Sequence, residues 1–177
     1  VNGKKVLVFG AGISGVGAAK LLEEHQAEVI LYDGNQKLDE EEMKKQLGEK
    51  SNVRVLLGEL PGEVEETLDM AVLSPGVPTD LPVVRHMESE GVTIIGEIEL
   101  AYEFGKGDVL AITGTNGKTT TTSLLGEIMK KARSEVYVVG NIGNPYTSVA
   151  GQMTDQAVTV AEVSSFQLET IDMFRPK

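Results

Sequence analysis

Two glycine-rich turns, Gly10-Ala11-Gly12-Ile13-Ser14-Gly15 and Thr113-Gly114-Thr115-Asn116-Gly117-Lys118-Thr119-Thr120, each leave a short apolar run and open onto a helical pattern. A strand that turns through glycines into a helix is the building unit of parallel α/β sheets. Finding it twice, with different glycine spacing, predicts two successive α/β units. In both, glycines let backbone N–H groups close around an anion such as a phosphate.

The rest of the chain follows the same alternation. Apolar, β-branched runs at 5–9, 28–32, 53–57, 70–74 and 93–95 predict the strands of a first, Rossmann-like parallel sheet. Ile13, Val16, Ala19 and Leu22 form a helical stripe between the first two strands, and 81–90 predicts another helix. The charged stretch 39–46 reads as a solvated helix face with Met43 and Leu47 beneath it. Gly105-Lys106-Gly107 is the expected boundary, giving a nucleotide-binding unit at 1–105 and a P-loop unit at 106–177. In the second unit strands are expected at 108–112, 135–139 and 157–162, helices at 118–132 and from 165 onward. Three strands are few for a doubly wound sheet, so the chain is expected to be the N-terminal part of a longer protein.

In the first turn, the G-x-G-x-x-G spacing is joined by Asp33, which closes the second strand 21 residues after Gly12. An acid there grips a ribose hydroxyl in dinucleotide-binding folds. The motif does not identify the nucleotide, and an NAD-type cofactor fits it as it stands. The second turn is a variant phosphate loop. The usual pattern places a glycine where this chain has Ile112, and the upstream glycine is Gly114. Lys118 is expected to contact β- and γ-phosphates, and Thr119 to face Mg2+. Val158-Thr159-Val160-Ala161-Glu162 reads as a buried strand ending in a carboxylate, at the sheet end where parallel folds bind ligands. Glu162 is therefore a candidate Mg2+ ligand. Gly140-Asn141-Ile142-Gly143 follows the intervening strand at that end, either as a plain turn or as a third phosphate-facing loop.

Composition narrows the partners. Acidic side chains number 27 against 16 basic ones, a net charge of -11, which argues against nucleic acid or an anionic membrane. Cysteine is absent, excluding disulfides, thiolate metal sites and cysteine nucleophiles. The opening Val1-Asn2-Gly3-Lys4-Lys5 runs straight into the first strand, so no signal peptide is expected, and a cytoplasmic location is.

At the loop Gly114 to Thr120, at Gly140-Asn141-Ile142-Gly143 and at Glu162-Val163-Ser164-Ser165-Phe166-Gln167-Leu168-Glu169, the chain resembles the Mur ligase family, the ATP-dependent amide-forming enzymes of peptidoglycan synthesis. The last run is similar to the members that add D-glutamate to UDP-N-acetylmuramoyl-L-alanine. Gly10 to Gly15, Ser74-Pro75-Gly76 and Gly96-Glu97-Ile98-Glu99-Leu100 fit the same members, so the resemblance spans essentially the whole chain. It implies an ATP-dependent ligase acting through an acyl phosphate, with Mg2+ as cofactor and UDP-N-acetylmuramoyl-L-alanine, ATP and D-glutamate as partners. It implies a uridine nucleotide, not NAD, on the first unit. Gly12, Ile13 and Ser14 would border the uracil and diphosphate, Asp33 would recognise the uracil, and Gly76 would line the pocket. Asn141 would reach the diphosphate from the second unit. Gly114, Thr115, Asn116, Gly117, Lys118, Thr119 and Thr120 would hold ATP. Glu162 and Thr119 would bind the metal, with Ser164 nearby on the substrate side.

Two departures stand out. Some members follow the aspartate with Thr-Arg, whereas Gly34 and Asn35 follow Asp33 here. The family's metal-binding histidine, carbamylated lysine and C-terminal domain would lie beyond Lys177; His25 and His86 read as surface or packing residues. The 177-residue chain alone is thus expected to be an inactive, monomeric binding module. The competing reading, an NAD-binding redox or sensing protein, accounts for Gly10–Gly15 and Asp33 but not for the second loop or the 162–169 run.

Overall fold

A computed structural model describes residues 1–141 and 144–177. Its contacts divide the chain into two compact units, Val1–Glu97 and Ile98–Lys177.

The first unit is a parallel sheet in the order β3-β2-β1-β4-β5. Its strands are β1 (Lys5–Phe9), β2 (Glu28–Asp33), β3 (Arg54–Leu57), β4 (Met70–Leu73) and β5 (Thr93–Gly96). The connecting helices are α1 (Ile13–Glu24), α2 (Glu40–Leu47), the single turn α3 (Gly62–Glu65) and α4 (Pro82–Ser89). Both sheet faces are covered, which is why the strands read as unbroken apolar runs. Leu7, Phe9, Ile30, Tyr32, Ala71 and Leu73 form one core with Val64 of α3 and Val84 and Met87 of α4. The alternate residues Val6, Val8, Val29, Leu31 and Val72 are equally buried and point to the other face. There α1 packs on β1 and β2 and against α2. Asp39 caps α2 through its side chain, accepting from the N–H groups of Glu41 and Glu42. Met43 and Leu47 are buried beneath the charged face, as expected. Ile13, expected in the core stripe of α1, is instead 78% exposed at the helix start, because α1 begins at the carboxyl end of the sheet and its first turn projects beyond it.

The second unit is a parallel sheet ordered β6-β8-β7, made of β6 (Asp108–Ile112), β7 (Val136–Gly140) and β8 (Val158–Glu162). The helix α6 (Lys118–Ala132) packs across all three strands. Gly126 permits the close approach, since a Cβ there would lie 2.5 Å from Cγ2 of Val138. The helix α5 (Glu97–Phe104), which follows β5 directly, and the short α7 (Thr147–Ala150) complete it, with the helix expected from 165 onward present as a 3-10 helix at Phe166–Thr170.

The division between units falls at Glu97 and Ile98 rather than at 105/106. Gly105 and Gly107, which resemble a linker in sequence, are close-packing positions. A Cβ on Gly105 would lie 2.7 Å from the Tyr146 hydroxyl, and one on Gly107, at φ +81°, would lie 2.1 Å from the Ala157 carbonyl oxygen.

Candidate functional site

In the first unit the strand order reverses between β1 and β4, and the loops leaving these strands flank that switch point. The turn after β1 is tightly specified. Gly10, at φ +103°, has no room for a side chain beside Ser74, and the Ser74 hydroxyl donates to the Gly10 carbonyl at 3.0 Å. This serine was singled out in the sequence only as part of a motif; its role is to tie the β4 loop, with Gly76, to the glycine turn. Gly12 caps α1 without a side-chain hydrogen bond, and the first turn of α1 carries no acid. Its unpaired N–H groups and positive dipole end are open to an anion. Gly12, Ile13 and Gly76 are exposed there, and Ser14 is half-buried.

Asp33 ends β2 beside this turn. Its Oδ2 accepts the Ala11 N–H and its Oδ1 accepts the Asn35 N–H, both at 2.9 Å. The carboxylate therefore braces the glycine turn as well as facing the site, and each oxygen keeps a lone pair for a ligand.

In the second unit three elements converge by register. Ile112, Glu162 and Gly140 are Cα partners across β6, β8 and β7. The phosphate loop leaves β6 at that level, and Asn141 follows Gly140. A Cβ on Gly140, at φ +106°, would lie 2.2 Å from the Glu162 carbonyl oxygen, and the Asn141 N–H donates to that same oxygen at 3.1 Å. Asn141 and Glu162 are thus placed by one backbone crossing. Ile142 and Gly143, also part of the run that reads either as a plain turn or as a third phosphate-facing loop, lie outside the described residues.

Thr113 to Gly117 form an exposed loop. Gly114 and Gly117 have φ of +140° and +77°, and a Cβ at either would meet nothing within 4 Å. Glycine is needed here for conformation, and the space above the loop stays open to a ligand. The first turn of α6 has neither a side-chain cap nor an acid, while Lys130 and Lys131 sit in its last turn, an arrangement favouring an anion at the N-terminus. The Lys118 ammonium donates to the Gly114 carbonyl at 2.7 Å, so it already lies over the loop. Thr119 and Thr120 are exposed beside it.

Glu162 is only 2% exposed, yet its Oε2 has no hydrogen-bond partner. An orphaned buried carboxylate oxygen is costly and calls for a cation or a donor. A carboxylate oxygen of this kind suits a hard ion such as Mg2+, as does the hydroxyl oxygen of Thr119. Among the described residues no three His, Asp or Glu side chains gather as a metal cage. A Mg2+ here would therefore rely on phosphate oxygens and water for the rest of its shell, as that ion commonly does.

Beyond β8, Ser164 and Gln167 form a reciprocal turn. Gln167 Oε1 accepts the Ser164 N–H at 3.0 Å and its hydroxyl at 3.1 Å, while the Gln167 N–H donates to Ser164 Oγ at 3.3 Å. This is the capping-box pattern, S-x-x-Q, at the start of the 3-10 helix. It was legible as a local motif, and it shows that Gln167 fixes the hydroxyl of the expected site residue Ser164. The two histidines lie elsewhere in their elements, His25 capping the end of α1 and His86 inside α4.

Comparison with known proteins identifies the family. Residues 4–96 match the family described as Mur ligase MurD-like, N-terminal domain, and residues 112–175 match the Mur ligase middle domain. The chain is 55% identical, over 98% of its length, to a UDP-N-acetylmuramoylalanine--D-glutamate ligase of Lachnoclostridium phytofermentans, covering 38% of that protein. It is 47% identical to the ligase of the same name from Lachnospira eligens, over 99% of this chain and 39% of that one. The chain thus spans about two fifths of the length of these curated relatives. Among solved structures, a murein peptide ligase from Psychrobacter arcticus shares the fold with a TM-score of 0.56 at 20% identity, over 93% of this chain and 39% of that one. A pseudomurein peptide ligase type C from Methanothermus fervidus does so with a TM-score of 0.51 at 24% identity, over 92% and 33%.

Proposed function

The chain belongs to the Mur ligase family, and we propose that the intact protein uses ATP to join D-glutamate to UDP-N-acetylmuramoyl-L-alanine. The first unit would hold the uridine nucleotide at Gly12, Ile13, Ser14, Asp33 and Gly76, and the second would hold ATP on Gly114 to Thr120. The observation that carries this reading is Glu162. It is a buried carboxylate, with its Oε2 unpartnered, set in register between the strand that enters the phosphate loop and the strand that leads to Asn141.

In this reading the γ-phosphoryl group of ATP passes to the L-alanine carboxylate of the nucleotide, releasing ADP and forming an acyl phosphate. The D-glutamate amine attacks the acyl carbon, phosphate leaves, and an amide remains. Such transfers depend on positioning and charge neutralisation more than on a protein nucleophile. The loop N–H groups and the α6 N-terminus would cradle the polyphosphate, and Lys118 would exchange its carbonyl contact for phosphate oxygens. Asn141 and Ser164 would orient the nucleotide substrate. Glu162 and Thr119 would hold Mg2+, which when bound supplies charge neutralisation on the phosphates.

ATP and uridine nucleotides are cytoplasmic compounds, so the reading places the protein in the cytoplasm, as a monomer acting on small molecules. Among the described residues no helix is long and apolar enough to cross a membrane. The test is Lys118→Ala in the intact protein. It abolishes ATP-dependent ligation and leaves uridine-nucleotide binding in place. Near-normal turnover in this variant sinks the assignment, and tight NADH binding unopposed by a uridine nucleotide would replace it with a redox or sensing role.

A further inference from the structure

Glu99 lies in the Gly96-Glu97-Ile98-Glu99-Leu100 run, for which the site described so far has no use. It is 5% exposed on α5. Its Oε1 accepts the Met173 N–H at 2.7 Å, and its Oε2 accepts those of Asp172 and Phe174, each at 3.0 Å. Three successive N–H groups converging on a carboxylate form an anion nest, filled here by the protein itself.

The segment held in this way is a strap that runs from the end of β8 back to β6. It leaves β8 at Val163, whose N–H donates to the Ile112 carbonyl, and ends with the Lys177 N–H donating to the Val109 carbonyl. Ile112 and Val109 differ by an odd number of residues, so these carbonyls point to opposite edges of β6. In between come the Ser164–Gln167 turn and the 3-10 helix, a form with poor intrinsic hydrogen-bond geometry. Hydrophobic burial adds little: Phe166 and Met173 are exposed, and Phe174 is the buried aromatic, set edge-on to Tyr102. The polar nest fixes 172–174, and beyond it the Tyr102 hydroxyl donates to the Arg175 carbonyl at 3.5 Å and the Lys177 ammonium pairs with Asp108 at 2.5 Å.

We propose that Glu99 is a positioning residue, latching the strap at 172–174 so that the Ser164–Gln167 turn is held for the uridine-nucleotide substrate. The identity of that ligand rests on the proposed function; the latch itself does not.

The test uses Glu99→Gln and Glu99→Ala in the intact protein. Glutamine keeps the volume but sets an NH2 group against backbone donors, while alanine leaves space the size of an acetate ion. Amide exchange at 172–174 and at 164–167 is expected to speed about tenfold or more in both variants, with 114–118 unchanged. The KM for the uridine nucleotide rises about tenfold while that for ATP stays within about twofold. Acetate restores both readouts in Glu99→Ala and not in Glu99→Gln. Unchanged exchange at 164–167 overturns the proposal, as does a joint rise of both KM values. If Glu99→Ala does not fold, the exchange pattern of Glu99→Gln decides. The exchange arm stands whatever nucleotide the first unit binds, so failure of the latch is distinguishable from failure of the ligase reading.

Discussion

A Cβ on Gly15 would lie 1.7 Å from the carbonyl oxygen of Gly10, whereas one on Gly12 would meet nothing within 4 Å. The two glycines of one motif therefore do different work. Gly15 lets α1 sit against the end of β1, and Gly12 leaves open space above the turn. We predict that Gly15→Ala destabilises the first unit by about 3 kcal/mol or more, since the obstacle is backbone. Gly12→Ala should leave the denaturation midpoint within about 0.5 kcal/mol of the parent while weakening nucleotide binding. Equal stability loss in the two variants would contradict this division.

Asp33 holds the glycine turn through the Ala11 N–H. Asp33→Ala strands that donor and should cost about 1–3 kcal/mol. Asp33→Asn retains an acceptor oxygen and should recover much of the stability, though not the charge presented to the ligand. Urea titration of the two variants, paired with calorimetric titration of a uridine nucleotide, separates bracing from recognition.

Gly140 crosses the Glu162 backbone too closely for any side chain. Gly140→Ala should displace the Glu162 carboxylate and Asn141 together. The expected outcome is loss of Mg2+-dependent nucleotide turnover in the intact protein with the first unit's uridine-nucleotide affinity unchanged. Retained turnover would show that this crossing does not set the site.

Glu135, just before β7, clasps the loop before β8. Its carboxylate accepts the hydroxyl of Thr154, the Thr154 N–H at 3.0 Å and the Tyr137 hydroxyl at 3.2 Å. The Thr154 hydroxyl bond, followed by the Thr154 N–H, holds its pKa below the ordinary 4.5. A depressed folded-state pKa means stability present above the unfolded value and lost as pH falls through the lower, folded one. The thermal midpoint of the parent should therefore exceed that of Glu135→Gln above pH 4.5, and the difference should shrink as pH falls below it. Parallel curves for parent and Glu135→Gln across that range would refute the clasp.

The strand and helix sequence of both units was legible because it is written in short-range patterns. Apolar runs of strand length, glycines at their ends and Asp39 before a charged helix all act within a few residues. The 3-10 helix at Phe166–Thr170 was less legible, since Ser164 and Gln167 start a helix of either kind and tertiary anchoring decides which. The glycines at 105 and 107 misled for a related reason. In sequence, a glycine that relieves crowding looks the same as one that frees a linker, and Tyr146 and Ala157, which supply the crowding, lie far along the chain.

The candidate site divides along the same line. Residue types and local spacing were enough to single out the two glycine turns and to propose Lys118, Thr119, Asp33 and Glu162 as their chemical groups, because backbone N–H cradles and strand-end carboxylates are local devices. Three relationships required the folded chain: Asp33 bracing Ala11, Glu162 left unpartnered beside Gly140, and Glu99 gripping 172–174. Each joins segments more than 20 residues apart, so each depends on strand order and register, which no local pattern encodes.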